Sequence, residues 1–161
     1  MPNWCENTLW ISGDASKVKE FVEKAKGEDT DLSLNNFVPT PEELLTGPAP
    51  NLKRDDETDE EHKARMQTLK DRYGYTDWFD WRIAHWGTKW DVQAEVNYEE
   101  GDCSAVFTFD SAWSPPIEWL EAVSRLYPEL HFSLKYDEPG MTFMGCARGS
   151  QGEISDTCIE Y

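Results

Sequence analysis

Side chains alternate in character from residue 3 to residue 12: Cys5, Asn7, Leu9 and Ile11 fall on one side, and Trp4, Glu6, Thr8 and Trp10 on the other. A period of two is that of a strand. Gly13-Asp14 breaks the alternation. Asp14 is placed to cap a helix running to Lys26, in which Val18, Phe21, Val22 and Ala25 form an apolar stripe ended by Gly27. The first strand therefore feeds the first helix.

Periodicity is lost between residues 28 and 50, where Asn35-Asn36, Pro39-Thr40-Pro41 and Gly47-Pro48 leave room only for a short helical turn over Glu42 to Leu45. An acidic run, Asp55 to Glu61, then opens a helix that reaches about Tyr73 and turns basic toward its end, the order the helix dipole favours. Its apolar marks are Ala64, Met66 and Leu69, which predicts a surface helix with a thin buried edge. Thr76-Asp77 caps a second, aromatic helix. There Phe79, Ile83 and Trp86 recur at helical spacing with Trp78 and Trp81 beside them, and Gly87 is the C-cap.

Alternation resumes with Trp90, Val92, Ala94, Val96 and Tyr98 facing one way and Asp91, Gln93, Glu95 and Asn97 the other. Glu99 to Asp102 makes a hairpin turn into a strand with Ala105, Phe107 and Phe109 on its core face. Ser114-Pro115-Pro116 opens a helix, with Ser114 as its cap and Ile117, Leu120, Val123 and Leu126 as its apolar face, and Tyr127-Pro128 ends it. Leu130, Phe132, Leu134 and Tyr136 mark another strand. Glu138-Pro139-Gly140 turns it into Met141 to Ala147, and Gly149 to Gly152 turns again toward a last strand from Ile154 to Tyr161. The predicted class is α+β: a ferredoxin-like split βαβ sandwich with an antiparallel sheet and an extra C-terminal hairpin, forming a single domain over residues 1–161. Residues 28–89 are its helical, Trp-rich insertion, carrying the acidic helix and the aromatic helix.

Charge narrows the partners. Thirty-two acidic against fifteen basic residues give a net charge of −17, which repels nucleic-acid phosphates and anionic membranes, so neither direct nucleic-acid binding nor a membrane partner is expected. A basic protein, or one that normally grips nucleic acid, would instead be attracted. Cys5, Cys103, Cys146 and Cys158 show no Cys-x-x-Cys pair and no metal-ligand spacing with His62, His85 or His131, so no metal and no cofactor is expected. The opening Met1-Pro2-Asn3-Trp4-Cys5-Glu6 has neither a basic nor an apolar leader region, which predicts reduced thiols and a cytoplasmic setting.

Several segments resemble one family. They are Met1 to Asn7 with Leu9, Ile11 and Gly13; Phe37-Val38-Pro39-Thr40-Pro41-Glu42-Glu43-Leu44; Tyr73-Gly74 with Asp77-Trp78; Trp86-Gly87-Thr88-Lys89-Trp90; and Phe109 to Pro116. In this order they resemble the YubB-like ferredoxin-like domain family. The resemblance implies the fold and a bacterial cytoplasmic host, with coding by phages, plasmids and other mobile elements; it carries over no catalytic residue.

Asp77, Asp80, His85, Lys89, Asp91 and Asp110 supply carboxylates, an imidazole and an amine from which a general acid–base pair could be drawn, but spacing fixes no mutual geometry and no residue is assigned a catalytic role. Cys5, on the core face of its strand, is predicted to be an inert thiol. The aromatic segment reads two ways, as a core corner or as a recognition surface, with Phe79, Ile83 and Trp90 assigned to the core. The candidate binding set is Trp78, Trp81, Trp86, Thr88, Lys89, Asp110, Trp113 and Ser114, placed between the Trp86–Trp90 turn and the Trp113 corner. Two functions follow: an interaction protein of a mobile element whose acidic surface, led by Asp55 to Glu61, engages a basic host protein, or a small enzyme or ligand-binding domain with its site at that corner.

Overall fold

A computed structural model describes residues 1–161. Strand β1 (Trp4–Ser12) lies at the centre of the core motif, paired antiparallel with β3 (Ser104–Ala112) on one side and β4 (His131–Glu138) on the other. β2 (Ala94–Asn97) borders β3, and the hairpin of β5 (Phe143–Ser150) and β6 (Glu153–Glu160) continues outward from β4. The six-stranded order β2-β3-β1-β4-β5-β6 is the ferredoxin-like sheet with two strands added at the β4 edge.

Helices cover one side of this sheet. α1 (Ala15–Ala25) is capped by the Asp14 carboxylate, which accepts from the Ser16 N–H, and it buries Val18, Phe21, Val22 and Ala25 against the sheet. α4 (Ile117–Leu126) lies over the β4–β6 part through Leu120 and Val123. Phe21 is the hub of the core: it stacks on Phe37 at 4.6 Å and meets Phe107, Tyr127 and Phe132.

The insertion adds α2 (Asp59–Tyr73) and α3 (Trp78–Trp86). Leu32, Leu34, Phe37, Leu44, Leu69, Trp81 and Trp86 join the same apolar cluster as Leu9 and Ile11. Two indole N–H groups hold its backbone: Trp86 donates to the Val38 carbonyl at 2.9 Å, and Trp119 to the Leu34 carbonyl at 3.1 Å. Each pays for burying a polar backbone oxygen with a hydrogen bond.

Some details depart from the sequence reading. The buried side of α3 consists of Trp78, Trp81, Arg82, His85 and Trp86, the spacing i, i+3, i+4, i+7, i+8, whereas Phe79 and Ile83 are 37% and 42% exposed. Arg82 is tolerated there because its guanidinium sits over Trp86 at 4.6 Å and Trp78 at 5.2 Å, and because it donates to Thr40 Oγ1. His85 stacks on Trp81 at 4.1 Å. Trp90 is 38% exposed, since the ladder begins only at Ala94 and the chain before it is held by Asp91, which accepts from Ser33 Oγ and the Leu34 N–H. Leu126 points to solvent, and Trp119 takes its place on the buried side of α4. Pro116, not Ser114, occupies the N-cap of α4.

Candidate functional site

No helix covers the other side of the sheet, and the alternation of β1 decides what it shows. With Cys5, Asn7, Leu9 and Ile11 buried under the helices, Trp4, Glu6, Thr8, Trp10 and Ser12 face outward. Trp4 and Trp10 are 43% and 40% exposed. Register then assembles rows across the strands. Glu6 lies opposite Asp110 of β3 and Asp137 of β4, three carboxylates side by side. None of them takes part in an ion pair; Asp137 accepts only the Tyr161 hydroxyl, at 2.8 Å. Like charges in directly opposed positions destabilise a sheet, so this row holds repulsion that a bound cation would relieve.

A second row runs Val106, Trp10, Ser133, Arg148 and Ser155 across five strands. Concavities flank Trp10: one of about 500 Å³ toward His131, Arg148 and Glu153, and one of about 450 Å³ floored by Met144, Cys146 and Ile159. At the far end Trp90 meets Trp4 at 6.1 Å, and the Lys89 ammonium lies 4.3 Å from the Trp90 ring centre. Glu6, Trp10, Asp137 and Arg148 were missed in the sequence. One signal was readable: two indoles, Trp4 and Trp10, fall on the polar side of the first strand's alternation.

The predicted binding set is split by the structure. The Gly87–Thr88 turn does meet the Trp113 corner: Thr88 Oγ1 donates to the Ala112 carbonyl at 3.0 Å, and Ser114 Oγ to the Gly87 carbonyl. Trp81, Trp86 and Thr88 are buried, however, and Trp78 is half-buried against Arg82. The polar groups of the corner are largely spent on each other, as when Ser111 Oγ donates to the Ser114 carbonyl and the Trp113 N–H to the Asn3 carbonyl. Trp113 itself is exposed in a left-handed backbone conformation. Asp110 belongs to the open sheet side, beside Trp4, and Lys89 leans on Trp90.

The acid–base candidates are likewise dispersed into local duties. Asp77 caps α3 by accepting from the Asp80 N–H at 2.8 Å, His85 Nδ1 lies 2.8 Å from the Trp81 carbonyl, and Asp91 secures the 33–35 turn. Cys5 is wholly buried, and burial pushes its thiol up to about 12, so it carries no thiolate at neutral pH. All four cysteines are free. No group of three or more His, Cys, Asp and Glu side chains is placed to hold a metal ion, and no helix is long and apolar enough to cross a membrane.

Half of the acidic run that leads into α2 is engaged within the fold. Thr58 and Glu61 form a reciprocal capping box, Asp59 pairs with Lys53, and Glu57 accepts from Arg65 Nε at 2.7 Å and the Arg54 N–H at 3.0 Å. The Arg65 hydrogen bonds, first among the causes, pull the Glu57 carboxyl from its ordinary 4.5 to about 2. A lowered value means that the pairing stabilises the fold fully above the ordinary range and is lost as pH falls toward 2. The Glu57 carboxyl resonance is expected to titrate near 2, and Glu57→Gln should be nicked by trypsin after Lys53 or Arg54 several-fold faster at neutral pH. Equal cleavage of both proteins would show that the ion pair does not order this segment.

A family described as the ferredoxin-like domain in Api92-like protein matches residues 85–161, from the end of α3 through the C-terminal hairpin. The chain is similar in structure to the protein api92 from Yersinia pseudotuberculosis: TM-score 0.62 at 14% identity, covering 100% of this chain and 98% of that one. At that identity the likeness is one of fold. No curated protein matches the chain.

Proposed function

We propose that this protein is a binding module of a bacterial mobile element, acting in the host cytoplasm, and that its uncovered sheet side grips a basic protein. The observation that supports this reading is the unpaired row of Glu6, Asp110 and Asp137, with Trp4 and Trp10 exposed on the same side of β1. A lysine or arginine laid over the row would meet three carboxylates and slide its stem along an indole, combining charge neutralisation with cation–π contact. Asp55 to Glu61, the first candidate for such a surface, keeps Asp55, Asp56 and Glu60 outside any ion pair, on a loop and helix start.

An arginine-rich peptide is the probe. Its affinity by fluorescence anisotropy should fall with added salt, and Glu6→Gln with Asp110→Asn should weaken it by roughly tenfold. Asp55→Asn with Asp56→Asn removes the same formal charge and should change little. Equal loss in both double variants would reduce the interaction to bulk charge and defeat the reading. Asp110→Asn alone should also raise the thermal midpoint by roughly 1–3 °C, because one of the opposed charges is gone. An unchanged or lower midpoint would mean that the row stores no repulsion.

A further inference from the structure

The cavity at the opposite end of the open side has a different chemistry. It has a volume of about 500 Å³, within the roughly 300–1,000 Å³ of small-molecule sites, and lies between β1, β4 and the β5–β6 hairpin. Trp10 forms one wall and Arg148 the other, with Ser133 between them in the same cross-strand row. Two strand spacings separate them, on the order of 10 Å. Ser12, Ser150 and Ser155 add hydroxyls, His131 an imidazole and Glu153 a carboxylate.

Arg148 is the distinctive group. Arg65, Arg72 and Arg125 are paired with carboxylates, Arg82 is enclosed between indoles, and Arg54, whose side chain is also unpaired, is exposed on the segment before α2. The Arg148 guanidinium has neither an ion pair nor a side-chain hydrogen bond, and it stands in a recess of a chain with net charge −17. A five-donor planar cation with Ser133 and Ser155 opposite it on the two adjoining strands is suited to a phosphate or carboxylate, although the Glu153 carboxylate shares the cavity. The acidic row lies four residues away along β4, about 13 Å at the strand rise and beyond a Debye length of about 8 Å, so its repulsion of a small anion is screened.

We propose that this cavity binds a nucleoside monophosphate, with the base stacked on Trp10, the ribose over Ser133 and the phosphate on Arg148. Base stacking on an indole is tolerant of base identity, and Trp10 is exposed and lines the cavity. The single phosphate distinguishes this ligand from a nucleic-acid strand, whose run of charges the rest of the surface repels.

Calorimetric titration with adenosine and cytidine monophosphates, the corresponding nucleosides and inorganic phosphate tests the assignment, with thermal melts as a check that each variant is folded. At least one monophosphate should bind more tightly than about 1 mM and at least tenfold better than its nucleoside or phosphate alone. Arg148→Gln should erase that tenfold advantage while leaving the nucleoside unchanged, and Trp10→Ala should weaken both. Absence of monophosphate binding, a nucleoside or phosphate binding as well as the monophosphate, or binding indifferent to both substitutions would overturn it. The acidic-row variants should leave these titrations unaltered, so the outcome is separable from that of the peptide experiment.

Discussion

Replacing Trp86 with alanine is expected to cost about 3–5 kcal/mol of folding stability, a large part of the roughly 5–15 kcal/mol that holds a domain together. The ring is wholly buried, meets Trp81 edge-on at 6.4 Å, and supports the Arg82 guanidinium from below. Truncation leaves a cavity, orphans the Val38 carbonyl that the indole N–H satisfies, and exposes one side of a half-buried cation. Arg82 is sensitive to this because burial already lowers its pKa, and no carboxylate is bonded to it. Trp86→Phe separates these contributions: it keeps most of the packing and should lose about 1 kcal/mol, chiefly for the missing N–H. Urea unfolding followed by far-ultraviolet dichroism measures both. An alanine variant within about 1 kcal/mol of the parent would show that the insertion is held by its other anchors, Trp119 above all.

That anchor was within reach of the sequence, but its phase was not. Aromatic spacing identified the helix, its Asp77 cap and its Gly87 stop, and the structure has all three. The side it buries was assigned to Phe79, Ile83 and Trp86 because those are apolar, whereas stacking on indoles admits Arg82 and His85 to the interior and turns Phe79 and Ile83 outward. Hydrophobic patterning has no means of scoring a guanidinium that is solvated by rings. In α1, where the stripe is purely apolar, and in β1, where Asn7 is the one polar member, the same patterning placed Leu9, Ile11, Val18, Phe21, Val22 and Ala25 correctly inside.

The element order could likewise be read, because each strand and helix carries its own period and turn residues, and the split βαβ connectivity follows from their succession. The candidate site could not. Glu6, Asp110 and Asp137 are separated by more than a hundred positions from first to last, and they become neighbours only through the register of β1 with β3 and β4. Register is set by which face each strand buries and how the strands slide, so a one-residue slip would have dispersed the row. The corner at Trp113 was found because its residues are consecutive. Its polar groups then proved to be occupied with closing the chain on itself.

Gly145→Val should detach the C-terminal hairpin, at a cost of about 1–3 kcal/mol and more if the strands part. A Cβ at residue 145 would fall on the hydroxyl end of Tyr136 and 2.5 Å from the Thr157 carbonyl oxygen on β6, so both neighbours must move. Tyr136 is the bolt of this part of the sheet: from β4 it reaches over β5 to donate a hydrogen bond to Asp156 Oδ1 of β6 at 2.7 Å. Glycine at residue 145 is what lets the tyrosine cross. Tyr136→Phe loses only the hydrogen bond and should cost about 1 kcal/mol, with the hairpin intact. In the valine variant, amide exchange across residues 143–160 should accelerate far more than exchange in β1 and β3, the signature of local opening. Arg148 and Ser155 belong to that hairpin, so the cavity against Trp10 should lose one wall and its ligand affinity together. Parental protection over residues 143–160 would mean that the hairpin is held by α4, through Leu120 and Ser124 against Gly149 and Ile154, and not by the Tyr136 crossing.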